Sequence, residues 1–233
     1  MKSSDAETKT ELTEFQKIIG YRFKAVDILG TVFSHSSFVN ENKFERKESN
    51  ERLEFLGDSV VGVVTNRYLF EKYKDEDEGF LTRVKSMAVS QPSLAAAARK
   101  CNLGGYLLLG RGEEASEGRN KESNLSNAFE ALVGAIYLDG GLESAAKFIK
   151  EFVLNNLVVD EREAKDYKSE LQELIQKKFK KRPVYHIASE EGPEHQKTFI
   201  VRVAFAGSIL GEGRGKSKKE AELSAAKEAL KAF

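Results

Sequence analysis

The stretch Asn50-Glu51-Arg52-Leu53-Glu54-Phe55-Leu56-Gly57-Asp58-Ser59 carries two patterns at once. At the angular step of a helix, Glu51, Glu54 and Asp58 fall within an arc of roughly 60°, while Leu53, Leu56, Val60 and Val64 point the other way. The apolar side predicts a helix packed on a core. Solvated acids are common on surface helices, but like charges one turn apart repel. A stripe with no lysine interleaved is therefore unfavourable unless a cation sits on it. Phe55 falls on the acidic side, away from Leu53 and Leu56. It implies either a tertiary contact elsewhere in the chain or an interface.

Leu125-Ser126-Asn127-Ala128-Phe129-Glu130-Ala131-Leu132 repeats the arrangement. Leu125, Phe129, Leu132 and Ile136 predict the core face of a second helix, with Asn127, Glu130 and the small Gly134 opposite, leaving room for a ligand. Two helices that each offer oxygen ligands one turn apart can surround Mg²⁺, which takes carboxylates, amide oxygens and retained waters.

Outward from these segments, apolar residues recur at helical spacing through nearly all of residues 11 to 156, from Leu12-Phe15-Ile18-Ile19 to the run Ala145 to Leu154. The first domain, residues 1–156, is expected to be all-α. Residues 157–165 turn polar and charged and read as a flexible linker. The period then changes. Ser169 to Lys180 is predicted helical. Val184 to Glu190, Thr198 to Phe205 and Ser208 to Gly211 are predicted strands with turns at Gly192-Pro193 and Ala206-Gly207, and Ser217 to Phe233 returns to helix. Residues 166–233 thus form a small α+β domain of order α-β-β-β-α, and the chain is multidomain.

With 233 residues and 40% hydrophobic content, the chain can bury two cores. The formal charge of +0 hides an asymmetry. Residues 166–233 hold 14 Lys/Arg and 10 Asp/Glu, a balance of +4, and residues 1–165 hold 23 and 27, a balance of −4. That division suits a binding module joined to a metal-requiring one, although +4 alone is also an ordinary solvated surface. No apolar run approaches a membrane span and residues 1 to 11 lack a signal peptide's hydrophobic region, so a cytoplasmic protein without a membrane partner is expected. Cys101 is the sole cysteine, which leaves no internal disulfide or cysteine zinc cluster and reads as a buried small hydrophobe. His35, in Ser34-His35-Ser36-Ser37, reads as a hydrogen-bonded structural histidine.

Glu51 to Asp58 is similar, over eight consecutive residues, to the signature of bacterial ribonuclease III. The resemblance extends through Glu78-Gly79-x-Leu81-Thr82, Leu109-Gly110-x-Gly112-Glu113-Glu114 and Phe129-Glu130-Ala131-Leu132-x-Gly134-Ala135-Ile136-Tyr137-Leu138-Asp139, in family order. It implies a homodimeric endonuclease that cuts both strands of double-stranded RNA, leaving 5′-phosphate and 3′-hydroxyl ends with short 3′ overhangs, in the processing of ribosomal RNA and other structured precursors. By the same resemblance Glu54, Asp58, Asn127 and Glu130 hold Mg²⁺, or Mn²⁺ in its place, with Asp58 and Glu130 catalytic. Glu51 and Glu78 line the same acidic valley, and Phe55 is a knob docking into the partner subunit. The family usually has Asp where Asn127 stands. An Asn can ligate through its carbonyl oxygen but attracts Mg²⁺ less. A natural variant that cleaves, a substitution that traps substrate and a double-stranded-RNA-binding regulator with weakened or lost cleavage all remain open. From the acids alone, a nuclease for single strands is a further alternative.

In the basic module Ser217-Lys218-Lys219-Glu220 is a capping box at a helix start, followed by Ala221, Ala225 and Ala226. Lysines there oppose the helix dipole, which makes sense if a phosphate backbone docks against them, although exposed lysines are tolerable at a helix start. The pattern resembles a double-stranded RNA-binding domain. That resemblance implies that Gln172, Glu173 and Gln176 meet 2′-hydroxyls, that His195 probes a second minor groove, and that Lys216, Ser217, Lys218 and Lys219 hold the phosphates between. The family's third helix lysine is Glu222 here. No nucleotide cofactor is expected, because Gly211 to Ser217 lacks the glycine five positions before Gly215 that a phosphate loop needs.

Overall fold

The computed structural model describes residues 5–159, 167–193, 197–231 and 233, with backbone alone for 5–9. The chain divides into two compact units, Met1–Val159 and Asp160–Phe233. Most of the expected linker, residues 160–165, and His195 lie outside the described residues.

The first unit is helical: α1 (Asp5–Ile19), α2 (Ile28–Phe33), α3 (Ser36–Glu41), α4 (Glu51–Lys72), α5 (Glu78–Ala88), α6 (Gln91–Lys100), α7 (Leu103–Tyr106), α8 (Arg111–Ala115) and α9 (Glu122–Phe152). A single bridge, Ser34 to Leu108, is its only β pairing among the described residues. The short helices α3, α7 and α8 have no apolar period of their own. They are held by tertiary bonds, such as Glu41 Oε2 accepting from the Arg111 amide at 2.7 Å.

The helix α9 corrects an expectation. Between Asn124 and Ile136 every residue is buried except Asn127 and Glu130. This segment of the helix is enclosed on nearly all sides rather than amphipathic with Gly134 facing a ligand. A Cβ on Gly134 would lie 2.3 Å from the Leu53 carbonyl oxygen, and one on Gly57 would lie 1.8 Å from the Glu130 carbonyl oxygen. The two glycines let α4 and α9 touch backbone to backbone. Beyond this crossing α9 breaks at Gly141, whose φ of 79° is non-helical, in agreement with the two separate apolar runs.

In the second unit, α10 (Tyr167–Phe179), β1 (Val184–Glu191), β2 (Thr198–Phe205), β3 (Ser208–Gly215) and α11 (Lys218–Leu230) follow in order, and the antiparallel sheet runs β1-β2-β3. Leu171 and Ile175 of α10, Val201 and Val203 of β2, and Ala221, Ala225, Ala226 and Ala229 of α11 form one core. The β2–β3 turn places Ala206 and Gly207 at φ 50° and 85°, the geometry of a tight type I′ hairpin. Strand β3 runs four residues beyond its predicted end. Its inward positions Gly211, Gly213 and Gly215 would each put a Cβ within 2.1–2.5 Å of α11 backbone. Glycine lowers strand propensity, which hid the strand, but only glycine lets a helix lie this close on a sheet.

Candidate active site and nucleic-acid interface

The α4–α9 crossing creates the site. Because Gly57 and Gly134 draw the two backbones together, the side chains at the edge of the contact meet: Glu54 and Asp58 from α4, Glu130 from α9. Their charges are felt mutually. Burial first, then the charges of Asp58 and Glu54, push the Glu130 carboxyl up to about 7. Burial, followed by the charges of Glu51 and Asp58, also raises Glu54. Asn127 emerges one turn before Glu130, half-buried, its Oδ1 3.4 Å from the Ser126 hydroxyl. Among the described residues no Lys or Arg forms an ion pair with Glu51, Glu54, Asp58 or Glu130.

That donor set fits a hard divalent cation. Three carboxylates lie in a partly desolvated place where their mutual repulsion is met by no ion pair among the described residues, and Asn127 stands one turn before Glu130 on the same helix. No three His, Cys, Asp or Glu side chains among the described residues form a ready-made metal cluster. Mg²⁺ is suited to such a place because it keeps several of its waters and needs only one or two carboxylates directly.

The supporting contacts come from segments whose motifs gave no geometry. The N-terminus of α4 is seated by buried Asn50, whose amide N–H donates to the Ser34 carbonyl at 2.9 Å. The N-terminus of α9 is seated by Asn124, which donates to Glu113 Oε1 at 2.9 Å, while Lys121 holds the same carboxylate at 2.8 Å. His35 caps α3, its Nδ1 accepting from the Ser37 amide, and burial lowers its pKa. It has the structural part expected of it. Cys101 is buried, and its thiol is pushed up to about 12 by that burial, so no thiolate chemistry is available there.

Glu78 stands apart from Glu54, Asp58 and Glu130 within one chain. It lines a cleft of about 530 Å³ with Asn66, Phe70, Leu81 and Lys85, toward the far end of α4, and accepts from the Thr82 hydroxyl at 3.3 Å. Phe55 is 79% exposed and Phe70 73%, so both aromatic rings lie in solvent in the single chain.

In the second unit the capping box forms. Ser217 Oγ accepts from the Glu220 amide at 3.2 Å, and Glu220 Oε2 accepts from the Lys216 amide at 2.7 Å. Lys216, Lys218 and Lys219 are exposed at this helix start and make no ion pair among the described residues. Glu222 instead pairs with Lys168 at 2.6 Å, tying α11 to α10. On α10, Glu173 and Gln176 are exposed and Gln172 is half-buried, opposite the buried Leu171 and Ile175. Phe179 is half exposed and leans on Phe205 with ring centroids 5.1 Å apart.

Comparison with known proteins agrees with this geometry. Residues 26–157 match the Ribonuclease-III-like family and residues 167–232 the double-stranded RNA binding motif. Ribonuclease 3 of Treponema denticola is 47% identical over 94% of this chain and 89% of its own length. Ribonuclease 3 of Leptospira interrogans is 50% identical over 93% and 88%. Among solved structures, the nuclease domain of ribonuclease III from Campylobacter jejuni, described as flexible in a region involved in dimer formation, matches with TM-score 0.58. It is 35% identical and covers 63% of this chain and 98% of that one. With carboxylates gathered by a glycine-mediated helix crossing and a second unit built as an RNA-binding motif, the chain belongs to the ribonuclease III family.

Proposed function

We propose that this chain is a divalent-metal-dependent, homodimeric endoribonuclease that hydrolyses both strands of double-stranded RNA. Its products carry 5′-phosphate and 3′-hydroxyl ends with short 3′ overhangs, and its substrates are ribosomal RNA and other structured precursors in the cytoplasm. The observation that carries the reading is the meeting of Glu54, Asp58 and Glu130 at the α4–α9 edge, without an ion pair to any cation among the described residues, in a chain that also has an RNA-binding fold. The relatives compared above bear the name Ribonuclease 3, and a binding-only regulator finds no support among them.

Glu54, Asp58 and Glu130 would offer carboxylate oxygens to Mg²⁺, or to Mn²⁺ in its place, and Asn127 a neutral carbonyl oxygen. When bound, such an ion lowers the pKa of a water and offsets charge on the scissile phosphate. Without metal, burial and the charges of Asp58 and Glu54 hold Glu130 toward its protonated form, and a cation seated among the three carboxylates would favour its ionised, ligating form. Glu51, one turn before Glu54, extends the negative wall. In the second unit, Lys216, Lys218 and Lys219 would hold phosphates beside the Ser217 cap. Gln172, Glu173 and Gln176 would meet 2′-hydroxyls, and His195 is assigned the second minor groove.

An exposed aromatic toward each end of one helix supports the dimer. A two-fold pairing that sets α4 antiparallel to its copy carries Phe55 of each chain toward the other's cleft beside Phe70 and Leu81. The same pairing brings Glu78 of one chain toward the acidic stripe of the other. Cleavage of a labelled RNA duplex across Mg²⁺ concentration tests the reading. The chain should cut duplex in preference to single strand. Glu130→Gln should lose on the order of 10²-fold or more in rate while retaining RNA binding, and Asn127→Asp should lower the Mg²⁺ needed. Absence of cleavage at every Mg²⁺ concentration, with binding intact, would overturn it in favour of a regulator.

A further inference from the structure

A nuclease whose catalytic edge is a row of carboxylates must still attract a polyanion to that edge, and the first unit as a whole is acidic. Immediately before Glu51 the structure holds a small polar pocket of about 150 Å³. It is lined by Ser36, Val39 and Asn40 of α3, by Arg46 and Ser49 of the following 3-10 turn, and by Glu51 itself. The turn is tied to the acidic stripe. The Ser49 hydroxyl donates to the Arg46 carbonyl at 2.9 Å and lies 3.3 Å from Glu51 Oε2, and Ser49 is buried. Of the neighbouring cations Lys47 pairs with Glu45 at 2.7 Å and Arg111 with Glu41 at 3.1 Å, while Lys43 and Arg52 do not line the pocket. Arg46 is exposed and pairs with no carboxylate among the described residues, although it lines the same pocket as Glu51.

Resting on the proposed nuclease reading, we propose that this pocket is a phosphate subsite of the substrate strand. In it the Arg46 guanidinium, with the Ser36 hydroxyl and the Asn40 amide, holds a backbone phosphodiester adjacent to the one being cut. The volume admits a phosphate group with part of its sugar and excludes a stacked base pair. A guanidinium beside a hydroxyl and an amide supplies the planar, multiple N–H and O–H donation that phosphate oxygens accept. Because Ser49 links the turn to the start of α4, a phosphate seated at Arg46 is set in register with Glu51, Glu54 and Asp58. The subsite thus fixes strand position with no base contact, as shape-based reading of duplex RNA requires.

The test uses the full-length protein and RNA duplexes carrying a single uncharged methylphosphonate, moved one position at a time around the cut. With the wild type, one position next to the scissile phosphate should raise KM about tenfold. In Arg46→Ala the KM for unmodified duplex should already be raised by a similar factor, with kcat within about twofold, and methylphosphonate at that position should have no further effect. Binding measured in a Glu130→Gln background should lose roughly one unit of slope in log affinity against log salt when Arg46 becomes Ala, and keep it in Arg46→Lys. Equal sensitivity of wild type and Arg46→Ala to the methylphosphonate, or an unchanged salt slope, would overturn the subsite. The binding arm is independent of cleavage, so an inactive wild type would sink the nuclease reading and leave the phosphate subsite to be judged by its slope.

Discussion

Replacing Glu130 by Gln should stabilise the metal-free protein in a pH-dependent way. The folded-state carboxyl of Glu130 titrates at about 7 against 4.5 for the ordinary group, because burial and then the charges of Asp58 and Glu54 oppose its ionisation. Well below pH 4.5 Glu130 is protonated in both states, so it contributes little difference. As pH rises from 4.5 to 7 the unfolded chain releases this proton while the folded chain retains it, so the wild type loses stability. Above 7 the loss is constant. The interval corresponds to an upper bound of about 3.4 kcal/mol. Glu130 keeps part of its surface in water, and screening reduces this to roughly 1–2 kcal/mol. Gln has nearly the same shape and no charge. The variant should therefore match the wild type about one pH unit below 4.5 and melt roughly 2–8 °C higher at pH 8. Thermal unfolding of the nuclease unit in EDTA, at fixed protein concentration and several pH values, reads this directly. A Gln variant that is less stable at pH 8, or whose difference from wild type does not change with pH, would refute the claim that uncompensated charge at the α4–α9 edge destabilises the metal-free fold.

Gly57→Ala should be far more damaging than an ordinary helix substitution: its Cβ would sit 1.8 Å from the Glu130 carbonyl oxygen, so α4 and α9 must separate by more than an ångström. A loss of roughly 3 kcal/mol or more in urea unfolding is expected, with any folded fraction losing on the order of 10² in kcat/KM because the carboxylates part. Gly213→Ala meets the Ala225 amide nitrogen at 2.1 Å and should weaken RNA binding by unfolding the second unit, visible as loss of duplex affinity with the nuclease unit's melting unchanged. Phe55→Ala removes a 79% exposed ring, so it should leave the stability of each chain within about 0.5 kcal/mol while shifting sedimentation from dimer toward monomer. An unshifted dimer would remove Phe55 from the interface.

Much of this protein is legible one residue at a time. The 3.6-residue apolar period marks the long helices, the capping box at Ser217 marks the start of α11, and the alternation of β2 marks a strand. Each is a local pattern whose energetic cause lies within a few residues along the chain. The acidic stripe of Glu51, Glu54 and Asp58 was legible for the same reason, since one helix fixes their mutual angle. Strand β3 beyond Gly211 was not, because its glycines answer to a helix that lies above them. Nor was the burial of α9, since an enclosed helix is distinguished from an amphipathic one only by what surrounds it.

By itself, the sequence determined that Glu51, Glu54 and Asp58 share one helix stripe and that Asn127 and Glu130 lie one turn apart on another helix. That Glu130 meets Glu54 and Asp58, and that Glu78 is left at the other end of α4, were decided only by the tertiary structure. The physical reason is the double close contact of Gly57 and Gly134. How near two helices come depends on both surfaces together, and the shift in the acidity of Glu130 depends on that distance and on the burial it produces.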